Sequence, residues 1–193
     1  MNPARFCHGQ TLVPRGTPID LVNFGPGDAT GDLKRAVAVA EAIEQGALMP
    51  AGGPREKLYN LQAVVGQLPE VDCPLQHQFA PASDGKFIYS RTIFIPAGTF
   101  IVGKIHKHRH HNILSYGRVK VYTEFNGIEE LVGPLSMVSE AGTKRGVYAE
   151  TDVVWTTIHL VSSTDLCKIE DELIAKTFEE YDAFRRLECE VQS

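Results

Sequence analysis

The chain has 193 residues, of which 43% are hydrophobic and 22% are charged, a composition that is ordinary for a globular protein able to bury one sizeable core. The formal net charge of -5 excludes a general attraction to nucleic acid or to anionic membranes. Direct nucleic-acid binding and membrane partners are therefore not expected.

The cysteines form no CxxC pair, and although an even count allows disulfides, a domain of this size does not need them. Neither a secretory leader nor an apolar run near the ~18 residues of a membrane span is recognisable. We therefore expect a cytoplasmic location during synthesis and reduced thiols at all four positions, Cys7, Cys73, Cys167 and Cys189.

The N-terminal third is predicted to hold an extended arm and two helices. Residues 1–31 contain too many prolines and glycines for a continuous helix. Residues 32–74 form a helical lead-in, because apolar residues recur at helical spacing over 32–48. A second helix is predicted from Pro54 or Arg55 to about Gly66.

Residues 75–161 change to short β-rich runs separated by turn residues. Asn126-Gly127 is a strong hairpin signal. Runs without intervening helices favour an antiparallel jelly roll over a parallel α/β sheet. The predicted strands cover 76–79, 86–95, 99–105, 112–116, 119–125, 128–132, 146–149 and 153–161.

Residues 162–193 return to helical spacing and are predicted to form a C-terminal helical tail. The helical spacing runs from 164 to about 187, and Ser163 or Thr164 is the expected cap. The fold class predicted from the sequence is thus mainly β, a jelly-roll barrel with an N-terminal arm, leading helices and a helical tail.

Four of the seven histidines lie within six residues, at His106, His108, His110 and His111. Because alternate side chains of a strand share a face, an extended segment would project Lys104, His106, His108 and His110 together. Imidazoles at that spacing can share a metal.

The spacing around these histidines resembles the first motif of the cupins, G-x5-H-x-H-x3-E-x6-G. Gly98, Lys104, His106, His110 and Gly117 reproduce every interval. Lysine stands at the position of the first metal histidine of the motif, and His110 stands at the position of its glutamate. The resemblance implies a cupin-like antiparallel barrel with these side chains on its inner face.

The second cupin motif, G-x5-P-x-G-x2-H-x3-N, is matched more loosely. Glu140 replaces the proline, Arg145 the histidine and Ala149 the asparagine, and Gly133 lies one residue early. The chain is most similar to small cupin-like proteins of tailed phages and bacteria, which share the phrases IPAGT, GTKR and VWTTIH.

The resemblance implies a metal site at His106 and His110, which either His108 or His159 would complete. Lys104 argues against an ordinary divalent site, because a protonated amine has no lone pair to offer. The sequence assigns no cofactor by itself and leaves a divalent transition metal open. Solvated histidines without any ion are the simpler alternative.

A third alternative is an anion pocket, in which Lys104, Arg145 and protonated imidazoles bind a carboxylate, a phosphate or a sugar nucleotide. Asn112 and Trp155 complete the predicted pocket residues, although a tryptophan is more often a core or interface anchor. No catalytic residue can be assigned from the sequence.

Substitution of the usual ligands, together with the arm, favours a non-enzymatic phage or phage-like structural or accessory protein. It would assemble as a homo-oligomer, alone or with other virion proteins, and would be found in the virion. A metal-dependent cupin enzyme, either a small-molecule dioxygenase or an isomerase, is the alternative.

Overall fold

The computed structural model describes residues 53–66 and 70–191. The predicted arm at 1–31 and the helix at 32–48 lie outside them. Among the described residues, no helix is long and apolar enough to cross a membrane. The described elements are α1 (Pro54–Val65), β1 (Leu75–Pro81), β2 (Phe87–Ile95), β3 (Phe100–Val102), β4 (Ile105–His106), β5 (His110–Tyr116), β6 (Arg118–Thr123), β7 (Gly127–Val132), β8 (Leu135–Ser139), β9 (Arg145–Ala149), β10 (Val153–Val161), α2 (Leu166–Leu173), β11 (Ile174–Ala175) and α3 (Phe178–Val191).

The strands form two main antiparallel sheets. One has five strands in the order β1-β2-β10-β5-β8, and the other has four in the order β3-β9-β6-β7. The predicted hairpin joins β6 to β7, where Thr123 faces Gly127 and Gly127 has a φ of 70°. The predicted mainly β antiparallel jelly roll is confirmed.

The core lies between the two sheets and follows the alternation of the strands. Every second residue of β6 and β9 points inward, and matching residues of the larger sheet face them. Burial of such side chains stabilises the fold by roughly 1.5 to 3 kcal/mol each before ordering costs. This cluster comprises Ile95, Leu114, Val119, Val121, Val147, Ala149, Val153 and Trp155.

The helices cover two flanks of the barrel. Leu58 of α1 is fully buried in a cluster with Ile105 and Phe178, so α1 and α3 pack together against β4. Helix α2 buries Ile169 and Leu173 against Tyr89 and Val161 of the larger sheet. The second helix predicted from the sequence is present, with the bounds of α1.

The tail differs from the single helical stretch predicted over 164–187. It breaks at Ile174, which is extended because it pairs with His106 in a two-stranded sheet. The cap of α2 is Asp165, whose carboxylate accepts a hydrogen bond from Cys167 N at 2.9 Å. The prediction of Ser163 or Thr164 as cap was wrong.

Two strand predictions also need correction. The run over 99–105 is divided into β3 and β4, because Gly103 leaves the ladder after donating to Arg145 O at 2.7 Å. Strand β8 was not predicted, although it pairs with β5 over five residues. Its alternation of half-buried and exposed side chains carries too weak an apolar pattern to be recognised.

Substituting Gly117 by alanine should lower the free energy of unfolding by more than about 2 kcal/mol. Its φ is +99°, and an added Cβ would lie 2.2 Å from the backbone oxygen of Asp152. Gly85→Ala is the matched control, since φ is +70° there but nothing lies within 4 Å. Urea denaturation should give a loss near 1 kcal/mol for the control. Equal losses would show that the contact with Asp152 is unimportant.

Candidate metal centre

Three histidines from three strands meet inside the barrel: His106 of β4, His110 of β5 and His159 of β10. The ring centroid of His106 lies 4.2 Å from that of His110 and 5.0 Å from that of His159. The centroids of His110 and His159 lie 4.7 Å apart. One nitrogen of each ring lies within 4.8 Å of the other two. Three nitrogen donors therefore converge on one point.

Each ring has one buried nitrogen without a hydrogen-bond partner among the described residues, namely His106 Nδ1, His110 Nε2 and His159 Nε2. Buried polar atoms normally have hydrogen-bond partners, so three unpartnered nitrogens in one place need an explanation. His110 Nδ1 lies 3.1 Å from the backbone oxygen of His108, and only a protonated nitrogen can donate to that oxygen. His110 Nε2 consequently carries the lone pair, and the residues present fit a transition metal.

All three imidazoles are neutral at physiological pH. Burial, and then the neighbouring His110 and His159, hold the pKa of His106 well below its usual 6.5. Burial lowers the pKa of His110 to about 4 and that of His159 to about 3, with smaller contributions from Arg145 and His110 respectively. Neutral imidazoles are the form that binds metals, because protonation removes the lone pair.

The metal-free protein should lose stability as the pH falls below about 6.5. The unfolded histidines titrate near 6.5 and the folded ones near 4 and 3, so the unfolded state binds more protons in between. The neutral histidines contribute their full stabilisation above pH 6.5, and this stabilisation is lost progressively as the pH falls to about 3. Each histidine lowers the free energy of unfolding by up to about 1.4 kcal/mol per pH unit in that range. Urea midpoints between pH 7 and 5 measure it. A variant with leucine at all three positions should have a flatter profile, and an unchanged profile would contradict the assignment.

Two residues of the predicted set lie apart from this cluster. The ring of His108 packs edge-on against Phe184, with centroids 5.4 Å apart. Residues 107–109 form a bend between β4 and β5, so strand alternation does not apply to His108. Lys104 is exposed and forms an ion pair with Glu170, so the prediction that it faces the interior was wrong.

The remaining predicted pocket residues form a buried polar network. Asn112 Oδ1 accepts from Trp155 Nε1 at 2.9 Å and from Thr157 Oγ1 at 3.2 Å. Asn112 Nδ2 and Arg145 Nη2 both donate to Ser139 Oγ. Asn112 and Trp155 therefore brace the barrel and do not line the cavity beside the histidines, and Arg145 acts on the histidines through its charge.

A cavity of about 80 Å³ is lined in part by His106 and His159. Its lining includes residues that were not predicted from the sequence, above all Arg91 of β2. The signal was available, since Arg91 is the single charged residue in the apolar run FIYSRTIFI. The cavity is lined by Leu75, His77, Tyr89, Arg91, Lys104, His106, Thr157, His159, Leu166, Ile169, Glu170, Leu173 and Ile174.

The predicted anion pocket of Lys104, Arg145 and protonated imidazoles does not form in that combination. The imidazoles are neutral because burial lowers their pKa values. Lys104 is paired with Glu170 at the surface, and Arg145 donates to Ser139 inside the barrel. Of the two cations, only Lys104 reaches the cavity.

No protein-family model and no curated protein matches the chain. Among solved structures, a cupin 2 domain-containing protein from Halorhodospira halophila is similar over 47% of this chain and 64% of that chain, with 14% identity and a TM-score of 0.38. The match thus covers less than two thirds of that protein. Ectoine synthase from P. lautus matches 51% of this chain and 71% of its own, at 11% identity and a TM-score of 0.38. An RmlC-like cupin family protein from Methanocaldococcus jannaschii, described as a double-stranded β-helix, matches 45% and 92%, at 11% identity and 0.34.

The fold and the site together define a cupin-like jelly roll with a buried three-histidine cluster. The order of the strands in the two sheets and the spacing from Gly98 to Gly117 carry that assignment. The resemblance to cupins predicted from the sequence is confirmed at the level of the fold.

Proposed function

We propose that this chain is a metal-dependent cupin-like enzyme, in which His106, His110 and His159 hold a divalent transition metal beside a small substrate cavity. The observation that carries the proposal is the convergence of three buried, unpartnered ring nitrogens. Three neutral ligands leave the charge of the ion undiminished. Protein sites with three ligands and an adjacent cavity are typical of catalytic metals, whereas structural sites are closed by a fourth ligand.

A metal held here would supply Lewis acidity, polarising a substrate oxygen or lowering the pKa of bound water. The protein supplies the orientation of the ligands and the apolar lining of the cavity. The carbonyl of His108 fixes the ring of His110, and β11 holds β4 in place by pairing Ile174 with His106. Apolar side chains of α2 line the cavity, and an apolar lining lowers the polarity around a bound ion.

Dioxygenase and isomerase, the two reaction classes that the cupin resemblance implies, differ in the metal they need. Oxygen chemistry requires a redox-active ion such as iron, whereas an isomerase can use a redox-inert one such as zinc. The identity of the metal therefore discriminates between them.

The test is elemental analysis of the purified protein, followed by metal titration of the stripped chain. We expect about one metal per chain, and an affinity loss of at least about a hundredfold for each of His106→Ala, His110→Ala and His159→Ala. His108→Ala and His111→Ala are matched controls, since His111 is exposed and bonds Ser136. Equal occupancy in all five variants would refute the site.

The structural or virion role has no support among the described residues or in the comparisons. The arm on which that prediction rested lies outside the described residues. Homo-oligomer formation and virion partners therefore stay predictions of the sequence.

A further inference from the structure

The cavity beside the histidine cluster contains an arginine without a partner. Among the described residues, the guanidinium of Arg91 has neither a hydrogen bond nor an ion pair; burial lowers its pKa, and Tyr89 and Glu170 act on it only through their charge. A guanidinium offers five donors and stays charged, so buried arginines are normally paired. The nitrogens of Arg91 do not belong to the fully buried polar atoms that lack a hydrogen-bond partner. This fits a side chain whose guanidinium opens onto the cavity.

Apart from the ring nitrogens of His106 and His159, the other polar side chains of the cavity already have partners. Glu170 is the single carboxylate among the lining residues, and it is engaged in the ion pair with Lys104. His77 Nδ1 and Tyr89 Oη share a hydrogen bond of 2.7 Å. Two cations, Arg91 and Lys104, stand against the single carboxylate of Glu170, so the side chains that line the cavity carry one net positive charge.

Size and polarity restrict what can match this charge. A bound water needs ~10 to 15 Å³, so the cavity of about 80 Å³ has room for roughly five to eight non-hydrogen atoms. The cavity also has an apolar lining, which consists of Leu75, Leu166, Ile169, Leu173 and Ile174. A short apolar body with one anionic end fits both surfaces.

We propose that Arg91 binds the carboxylate of a small monocarboxylic acid of about five to eight non-hydrogen atoms, placing it beside His106 and His159. The planar fork of arginine matches a carboxylate with two parallel hydrogen bonds. One net positive charge in the cavity suits a monoanion. A phosphate dianion would bring a second negative charge that has no positive partner there. This inference names the substrate class of the proposed function and rests on it for the position of the metal.

A metal at the three neutral histidines would add positive charge close to Arg91, whose charge already acts on His106 and His159. An anion bound between them reduces that repulsion. Metal and carboxylate should therefore strengthen each other's binding, and by the same factor, because the coupling free energy is reciprocal.

The test is calorimetric titration of the full chain with propionate, and with propionamide as an uncharged probe of the same shape, before and after loading with zinc. We expect propionate to bind the wild type and propionamide to bind at least about tenfold more weakly. Arg91→Met should weaken propionate binding by about tenfold to a hundredfold. Arg118→Met is the matched control, since Arg118 is exposed and pairs with Glu130.

Propionate binding that is unchanged in Arg91→Met, or absent from the wild type in both metal states, would overturn the inference. Arg91→Lys keeps the charge without the fork and should bind more weakly than wild type, which guards against a misfolded methionine variant. Zinc content is measured on the same samples. Propionate binding through Arg91 without zinc uptake would refute the metal proposal alone, and zinc uptake without propionate binding would refute the carboxylate alone.

Discussion

Metal at about a thousand times its dissociation constant should raise the free energy of unfolding of the stripped protein by about 4 kcal/mol, because only the folded chain brings the three histidines together. The unfolded chain keeps the same histidines without their arrangement. Binding to it reduces the gain without removing it. Urea denaturation with and without zinc, at constant pH and protein concentration, measures the difference.

His159→Ala is the informative variant for this effect. It removes the ligand on β10, which is distant in sequence from the other two. His106 and His110, which are four residues apart, stay in place. We expect zinc to stabilise this variant by at most about 1.4 kcal/mol, which is the gain left after a hundredfold loss of affinity at the same zinc concentration. His111→Ala should retain the full gain. Equal gains in wild type and His159→Ala would mean that the stabilising ion binds elsewhere.

Substituting Asn112 by alanine should lower the free energy of unfolding by about 3 kcal/mol or more, even without metal. Asn112 is 1% exposed, and its amide satisfies groups on two neighbouring strands. Its loss leaves Trp155 Nε1 buried without an acceptor. Buried donors that lose their partner retain the full desolvation penalty.

Asn126→Ala is the matched control for this substitution. Asn126 is exposed, and its side chain donates to Glu129 at 2.9 Å in the turn between β6 and β7. We expect it to cost about 1 kcal/mol or less. Thermal unfolding of both variants provides the comparison, and similar losses would indicate that the network around Asn112 contributes little.

Local patterns were enough to predict much of the fold. Strand alternation and turn residues identified most strands between 75 and 161, because each of these signals depends on a few neighbouring residues. The tail was predicted less well. Ile174 has the apolar spacing of a helix, but pairing with β4 overrides it, and that pairing joins residues far apart in the chain.

The candidate site was predictable only in part. The cupin spacing indicated His106 and His110, which the structure brings together with His159. The choice between His108 and His159 depended on register. Strand β10 pairs with β5 so that Ile158 faces His111, and this carries the next residue, His159, to His110.

The sequence by itself determined the class of fold and the segment that contributes two of the three histidines, since each follows from composition or short-range spacing. Only the tertiary structure decided the third histidine, the ion pair that holds Lys104 at the surface, and the unpaired Arg91 in the cavity. Whether a charge is paired depends on which strands and helices meet around it. Contacts between residues distant in sequence determine that, and no local pattern encodes them.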